Sequence, residues 1–181
     1  MTQPQTVESA VADIYQEMGE IRLLIYNVRG RFDSCMPLDM TYEALEKTYQ
    51  EEVVGAFAAA KAVLPNMIEK GQGSIFFSSA TAALRGSARF PLYAIGKFGL
   101  RALSQSLAKA YAVNGIHIAH FRLDCNLDVP VMKELFGSDY DPRNFADPDD
   151  VAQTYWLTFQ QPKSAWSNEI EVRPYTEEWT Y

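Results

Sequence analysis

Apolar residues at Val7, Val11, Ile14 and Met18 recur at spacings of four, three and four, which predicts an amphipathic helix over 6–18 with these side chains on its inward face. Gly19 ends it. The segment Ile21 to Asn27 is rich in Leu, Ile and Tyr without polar alternation, the pattern of a short strand buried on both faces. After a loop to about Asp39, Leu45, Tyr49, Val53, Phe57, Leu64 and Met67 trace a long helix that Pro65 should kink near its end and that Gly71 and Gly73 stop. Ile75-Phe76-Phe77, bounded by glycine and by a Ser-Ser-Ala-Thr segment, predicts a second buried strand over 74–78. Leu100, Leu103, Leu107 and Tyr111 mark the inward face of another long helix, over 92–113. Asn114-Gly115 caps it, and Ile116 to Leu123 supplies a third strand. Asp147-Pro148-Asp149-Asp150 has the N-cap, the N1 proline and the acidic first turn of a helix running to about Gln160. Glu169 to Val172 forms a last strand, stopped by Pro174.

Strands alternating with helices give right-handed crossovers and a parallel sheet, so the expected class is α/β. The one long irregular stretch, Asp124 to Ala146, follows a strand, where open α/β sheets place ligand-binding loops. At 181 residues, of which 48% are hydrophobic, the chain has material for one packed domain, expected to cover 1–181. Its net charge of −7 and its lack of a Lys/Arg stripe argue against nucleic acid as a partner. Cys35 and Cys125 are too few for a disulfide framework and fit a reducing, cytoplasmic setting. No signal peptide is visible, and the most apolar stretch, Val53 to Leu64, is broken by Lys61 and is too short to span a bilayer, so no membrane association is expected.

Ser79 at a strand end, Tyr93 at the start of the next helix and Lys97 four residues on form the candidate chemical constellation. Tyr93 and Lys97 share a helix face. An ammonium beside a phenol favours the phenolate and lowers its pKa toward working pH, while a serine hydroxyl can hold a substrate oxygen. The spacing alone is weak, since ten tyrosines and seven lysines give about 0.4 accidental matches. Context strengthens it: the Ser-Ser pair at a strand end, fourteen residues from Ser79 to Tyr93, the long helix after it, and Asn27 ending the previous strand.

In these features the chain resembles the short-chain dehydrogenase/reductase family. The resemblance implies a Rossmann-like parallel sheet with flanking helices. It also implies NAD(P)-dependent hydride transfer to or from a small carbonyl or alcohol, with NAD or NADP as cofactor. Ser79 would orient the substrate carbonyl, Tyr93 would transfer the proton, and Lys97 would bind the nicotinamide ribose and tune Tyr93. Asn27, within Tyr26-Asn27-Val28-Arg29-Gly30, lies where the family has Asn-Asn-Ala-Gly and would be a cofactor-binding residue. Asp124 to Pro130 lies where a Pro-Gly turn and a cofactor-binding Thr usually occur, with Val129 at the Thr position. Glu52 falls where the family has an Asn that relays protons through water, and Val28 and Arg29 stand for the small Ala-Gly. The family's Gly-rich turn is absent from these residues. The chain therefore reads as N-terminally truncated, without the first βαβαβ segment of roughly 60 residues. An alternative follows: a non-catalytic fragment or pseudoenzyme that acts as a binding protein, with the strand at 21–27 left open along one edge. By resemblance, the two long helices would also form the interface of a homodimer or homotetramer.

Other polar clusters have structural explanations. His117 and His120, three apart on a strand, point to opposite faces and cannot share a metal, and no metal site is expected. Asp147, Asp149 and Asp150 are explained by helix capping. Trp156, Trp166 and Trp179 are expected in core or interface packing. Cys125 is expected to be a small buried residue and not a nucleophile.

Overall fold

The computed structural model describes residues 3–178. In chain order its elements are α1 (Pro4–Met18), β1 (Leu23–Tyr26), α2 (Tyr42–Tyr49), a π-helical segment (Gln50–Val54), α3 (Gly55–Lys70) and β2 (Gly73–Ala80). They continue with α4 (Pro91–Tyr111), β3 (Ile116–Leu123), β4 (Asn126–Leu127), α5 (Pro130–Phe136), β5 (Phe145–Ala146), α6 (Pro148–Phe159) and β6 (Glu169–Val172). The main sheet runs β1-β2-β3-β6 with every neighbouring pair parallel, and β4 and β5 form a small second parallel pair. This is the expected α/β architecture.

Alternation along β2 divides the core. Ile75 and Phe77 join Ile116 and Ile118 of β3 against α1, α3 and α4, which supply Val11, Ala56, Ala59, Ala60, Val63, Leu64, Met67, Leu100 and Leu107. Phe76, Ala119 and Phe121 face the other way and pack on Val151 and Tyr155 of α6. The alanines of α3 let its backbone approach the sheet closely. Gly71 and Gly115 end α3 and the turn after α4 at φ of 64° and 81°, a left-handed conformation that an L side chain rarely adopts. Asp147 caps α6 as expected, its carboxylate accepting the Asp149 N–H at 2.8 Å.

The structure corrects several expectations. On α1 the inward stripe is Val7, Val11 and Tyr15, whereas Ile14 and Met18 face water. The contact with α3 follows a single i, i+4 ridge. Strand β1 is shorter than 21–27 and is not covered on both faces: Ile25 is 42% exposed. Ile25 and Leu23 open onto a cavity of about 380 Å³ lined also by Leu127, Val151, Tyr155 and Trp156, and Trp156 is half exposed there. Among the described residues β1 pairs only with β2. Helix α3 continues through Pro65 to Lys70, and the irregularity of the long helix lies upstream, in the π-helical segment. The stretch Asp124 to Ala146 is not irregular, since β4, α5 and β5 lie within it and are too short to show a period.

His117 and His120 do face opposite sides: His117 stacks on Trp166 at 4.8 Å, and His120 pairs with Glu169 at 3.0 Å beside α4. Trp179 lies outside the described residues. Among those residues no helix is long and apolar enough to cross a membrane, and no group of three His, Cys, Asp or Glu is placed to hold a metal ion.

Candidate active site

The C-terminal ends of β1 and β2, the first turns of α4 and the segment after β3 surround a cavity of about 370 Å³. Asn27, Ser79, Tyr93 and Lys97 all line it. Asn27 and Ser79, 52 residues apart in sequence, meet because parallel strands deliver their ends to one edge of the sheet.

Neighbouring serines at the end of β2 have different fates. Ser78 points toward α6, where its hydroxyl meets the Tyr155 hydroxyl at 2.8 Å. Ser79, on the opposite face, is buried, and its Oγ has no hydrogen-bond partner among the described residues. A buried hydroxyl without a partner costs free energy unless something else supplies the bond, and a substrate oxygen in the cavity would do so.

Tyr93 sits in the first turn of α4, its ring met edge-on by Phe32 at 4.9 Å; Phe32 in turn stacks on Phe90 at 4.6 Å and lies under the Arg29 guanidinium at 5.2 Å. Lys97 is one turn further on, its Nζ 5.6 Å from the centre of the Tyr93 ring. The expected lowering of the Tyr93 pKa is not found. Burial, reinforced by the Glu52 carboxylate and opposed by Arg29, pushes the phenol up to about 12.

Lys97 does not offset this burial, and its own partners show how it is held. Its Nζ donates to Glu52 Oε2 at 2.8 Å, with the carbonyl oxygens of Val28 and Ser78 at 3.4 and 3.5 Å. An ammonium has three N–H donors, and these three acceptors take them. Burial pulls Lys97 below the ordinary lysine range, against the opposing pull of Glu52. Side-chain exposures of 3% and 1% for Lys97 and Glu52 place the ion pair in the interior. Glu52 reaches it because the π-helical segment turns this carboxylate inward, and because position 96 of α4 is glycine.

The apolar wall is completed by Val28, Leu127, Val129, Val131 and Met132, so valine at position 129 offers a methyl surface where a hydroxyl was the family's choice. Cys125 also lines the cavity, and burial pushes its thiol up to about 11, which keeps it a poor nucleophile as expected. Sequence reasoning missed the Phe32 and Phe90 shelf under Tyr93, because residues 30–41 carry no periodicity. It placed Glu52 near the site but missed its bond to Lys97. The legible signal for that bond was Gly96, a glycine within an otherwise strong helix pattern next to Lys97.

Comparison with known proteins agrees with this geometry. A family profile described as short chain dehydrogenase matches residues 1–125. The crystal structure of a short-chain dehydrogenase from Rhodopseudomonas palustris superimposes with a TM-score of 0.79 at 32% identity, over 96% of this chain and 71% of that one. A Staphylococcus saprophyticus protein described as an uncharacterized oxidoreductase is 25% identical over 174 residues, 96% of this chain and 72% of its own. L-sorbose reductase from Gluconobacter frateurii, crystallised with NADPH and L-sorbose, shares the fold at a TM-score of 0.82 and 18% identity, over 96% of this chain and 73% of that one. With the parallel sheet, the cavity at its strand ends and a family match over more than half its residues, the chain belongs to the short-chain dehydrogenase family.

Proposed function

We propose that this chain is an oxidoreductase that transfers hydride between a nicotinamide dinucleotide, NAD or NADP, and a small carbonyl or alcohol in the cytoplasm. The observation that carries the reading is the meeting of Ser79, Tyr93 and Lys97 in one cavity, with the Ser79 hydroxyl buried and unpartnered among the described residues. The L-sorbose reductase of the same fold, which holds NADPH and a small sugar, supports it.

The residues present fit the nicotinamide end of such a cofactor. Val28, Leu127 and Val129 form an apolar wall for a flat ring, and Asn27 is an exposed amide at the mouth. Lys97 would hold a ribose hydroxyl in place of one of its two long carbonyl contacts. When bound, the dinucleotide supplies the hydride. Ser79 Oγ donates a hydrogen bond to the substrate carbonyl oxygen and fixes its direction. In reduction the carbonyl oxygen, held by Ser79, would take the phenol proton of Tyr93.

The test is absorbance at the nicotinamide band with NADH and with NADPH, against a panel of small aldehydes and ketones. Wild-type turnover that falls at least about 100-fold in Tyr93→Phe, with the circular dichroism spectrum unchanged, is the expected result. Equal turnover in that variant removes Tyr93 from the chemistry. The same reading includes self-association: Tyr49 and Phe57 are exposed on the continuous run of α2, the π-helical segment and α3, and Ile95 and Phe98 on α4, the two helical stretches expected at a dimer or tetramer interface. Sedimentation at micromolar concentration tests it, and a monomer there rejects it.

A further inference from the structure

Glu52 is the most deeply buried acidic side chain near the cavity, and both of its oxygens are used. Oε2 accepts from Lys97 Nζ at 2.8 Å, and Oε1 accepts from the Gly30 N–H at 2.7 Å. Buried carboxylates are costly unless their lone pairs are met in this way. Three separate features of the chain serve this placement. The π-helical segment Gln50–Val54 carries Glu52 inward. Glycine at position 96 leaves room, since a Cβ there would lie 2.7 Å from Glu52 Cγ. The loop after β1 brings the Gly30 amide onto the second oxygen. A carboxylate so held cannot swing out to solvent, and its charge is fixed beside Lys97 and Tyr93.

We propose that Glu52 is a positioning residue of this site, one that holds Lys97 in a buried ion pair and offsets the ammonium's charge at Tyr93. The argument is electrostatic and geometric. A lone ammonium beside a phenol stabilises the phenolate, whereas an ammonium paired with a carboxylate at 2.8 Å presents little net charge to a third group. The raised Tyr93 pKa, with burial first and Glu52 second among its causes, agrees in direction. The positioning role does not rest on the oxidoreductase reading above.

The experiment follows Tyr93 itself in the chain without cofactor or substrate. Protein labelled with carbon-13 at the tyrosine Cζ is titrated by NMR, and the Tyr93 resonance is assigned from Tyr93→Phe. In the wild type Tyr93 stays protonated past the range of an ordinary tyrosine. In Glu52→Gln its titration is expected to move down by about one pH unit or more, a tenfold change in ionisation constant. The direction does not depend on Lys97: removing the carboxylate takes a negative charge away from the phenol whether Lys97 is charged or neutral. Glu52→Asp, which keeps the charge but shortens the side chain, is expected to titrate close to wild type, which a purely steric role for Glu52 would not give. Tyr93 titrating at the same pH in wild type and Glu52→Gln overturns the proposal. Should Glu52→Gln not fold, Glu52→Asn, which removes the same charge with a shorter side chain, is read by the same criterion against wild type. A chain with the expected Tyr93 shift but no turnover with any carbonyl would reject the oxidoreductase reading and leave the positioning role standing.

Discussion

Replacing Gly96 by alanine adds one methyl group at the tightest contact around the candidate site. The new Cβ would lie 2.7 Å from Glu52 Cγ and 3.1 Å from both Glu52 Cβ and Thr48 Cγ2, where unstrained carbons keep about 3.5 to 4.0 Å. Neither neighbour is free to retreat: the Glu52 carboxylate is held at both oxygens, and the Thr48 hydroxyl donates to the Ala44 carbonyl at 2.9 Å. Overpacking of a tight site costs about 1 to 3 kcal/mol, and the upper end applies where the surroundings are anchored. Alanine in place of glycine within a helix returns about 1 kcal/mol. The net expectation is a loss of about 2 kcal/mol, against the sign that helix propensity alone would give. Equilibrium urea unfolding reads it directly. With a slope of about 2 kcal/mol per molar, the midpoint should fall by about 1 M. A midpoint that is unchanged or higher would refute the claim that α4 needs glycine here to let Glu52 approach Lys97.

Three further outcomes follow from the same structure. Glu52→Ala leaves Lys97 buried without its carboxylate and is expected to cost about 3 to 5 kcal/mol, whereas Glu52→Gln/Lys97→Met should lose far less; equal losses in a urea series would contradict the buried pair. Burial lowers the pKa of both His117 and His120, the latter also facing Glu169, Arg101 and Arg122. The unfolded chain therefore takes up these protons first as pH falls below the ordinary value of 6.5, so stability that is complete above that pH declines beneath it. The urea midpoint should be lower at pH 5.5 than at 7.5, and the difference should shrink in His117→Asn/His120→Asn; a midpoint equal at both pH values in the wild type would be inconsistent with this. Asp147→Ala removes the cap of α6 and should cost about 1 kcal/mol, with Asp147→Ser retaining most of the stability; thermal melts of the two variants decide it.

Much of the fold was legible along the chain because its elements have periods long enough to show. The apolar runs at 74–78 and 116–123 became the central strands β2 and β3, and the capping signal at Asp147-Pro148 became the start of α6. The candidate residues Asn27, Ser79, Tyr93 and Lys97 were legible as well, and the structure brings all four to one cavity. Other features were not, for reasons that can be named. Tyr15 replaces Ile14 on the inner face of α1 because a neighbouring helix selects one ridge of the several that a heptad-like pattern allows. Phe32 and Phe90 stack although 58 residues separate them, and nothing local in either segment marks the contact.

The sequence by itself determined the order of the long helices and of the main-sheet strands, the parallel sheet and the candidate acid–base side chains, since these follow from periodicity, turn residues and spacing within single elements. Only the tertiary structure decided the charge state of that chemistry. Lys97 and Glu52 are 45 residues apart and nothing in the sequence pairs them, yet the π-helical turn, the missing Cβ at position 96 and the crossing of the two helices put them 2.8 Å apart in the interior. Burial and pairing belong to neighbours in space, and they raise the Tyr93 pKa where the Lys97 spacing alone led to the expectation of a lowered one.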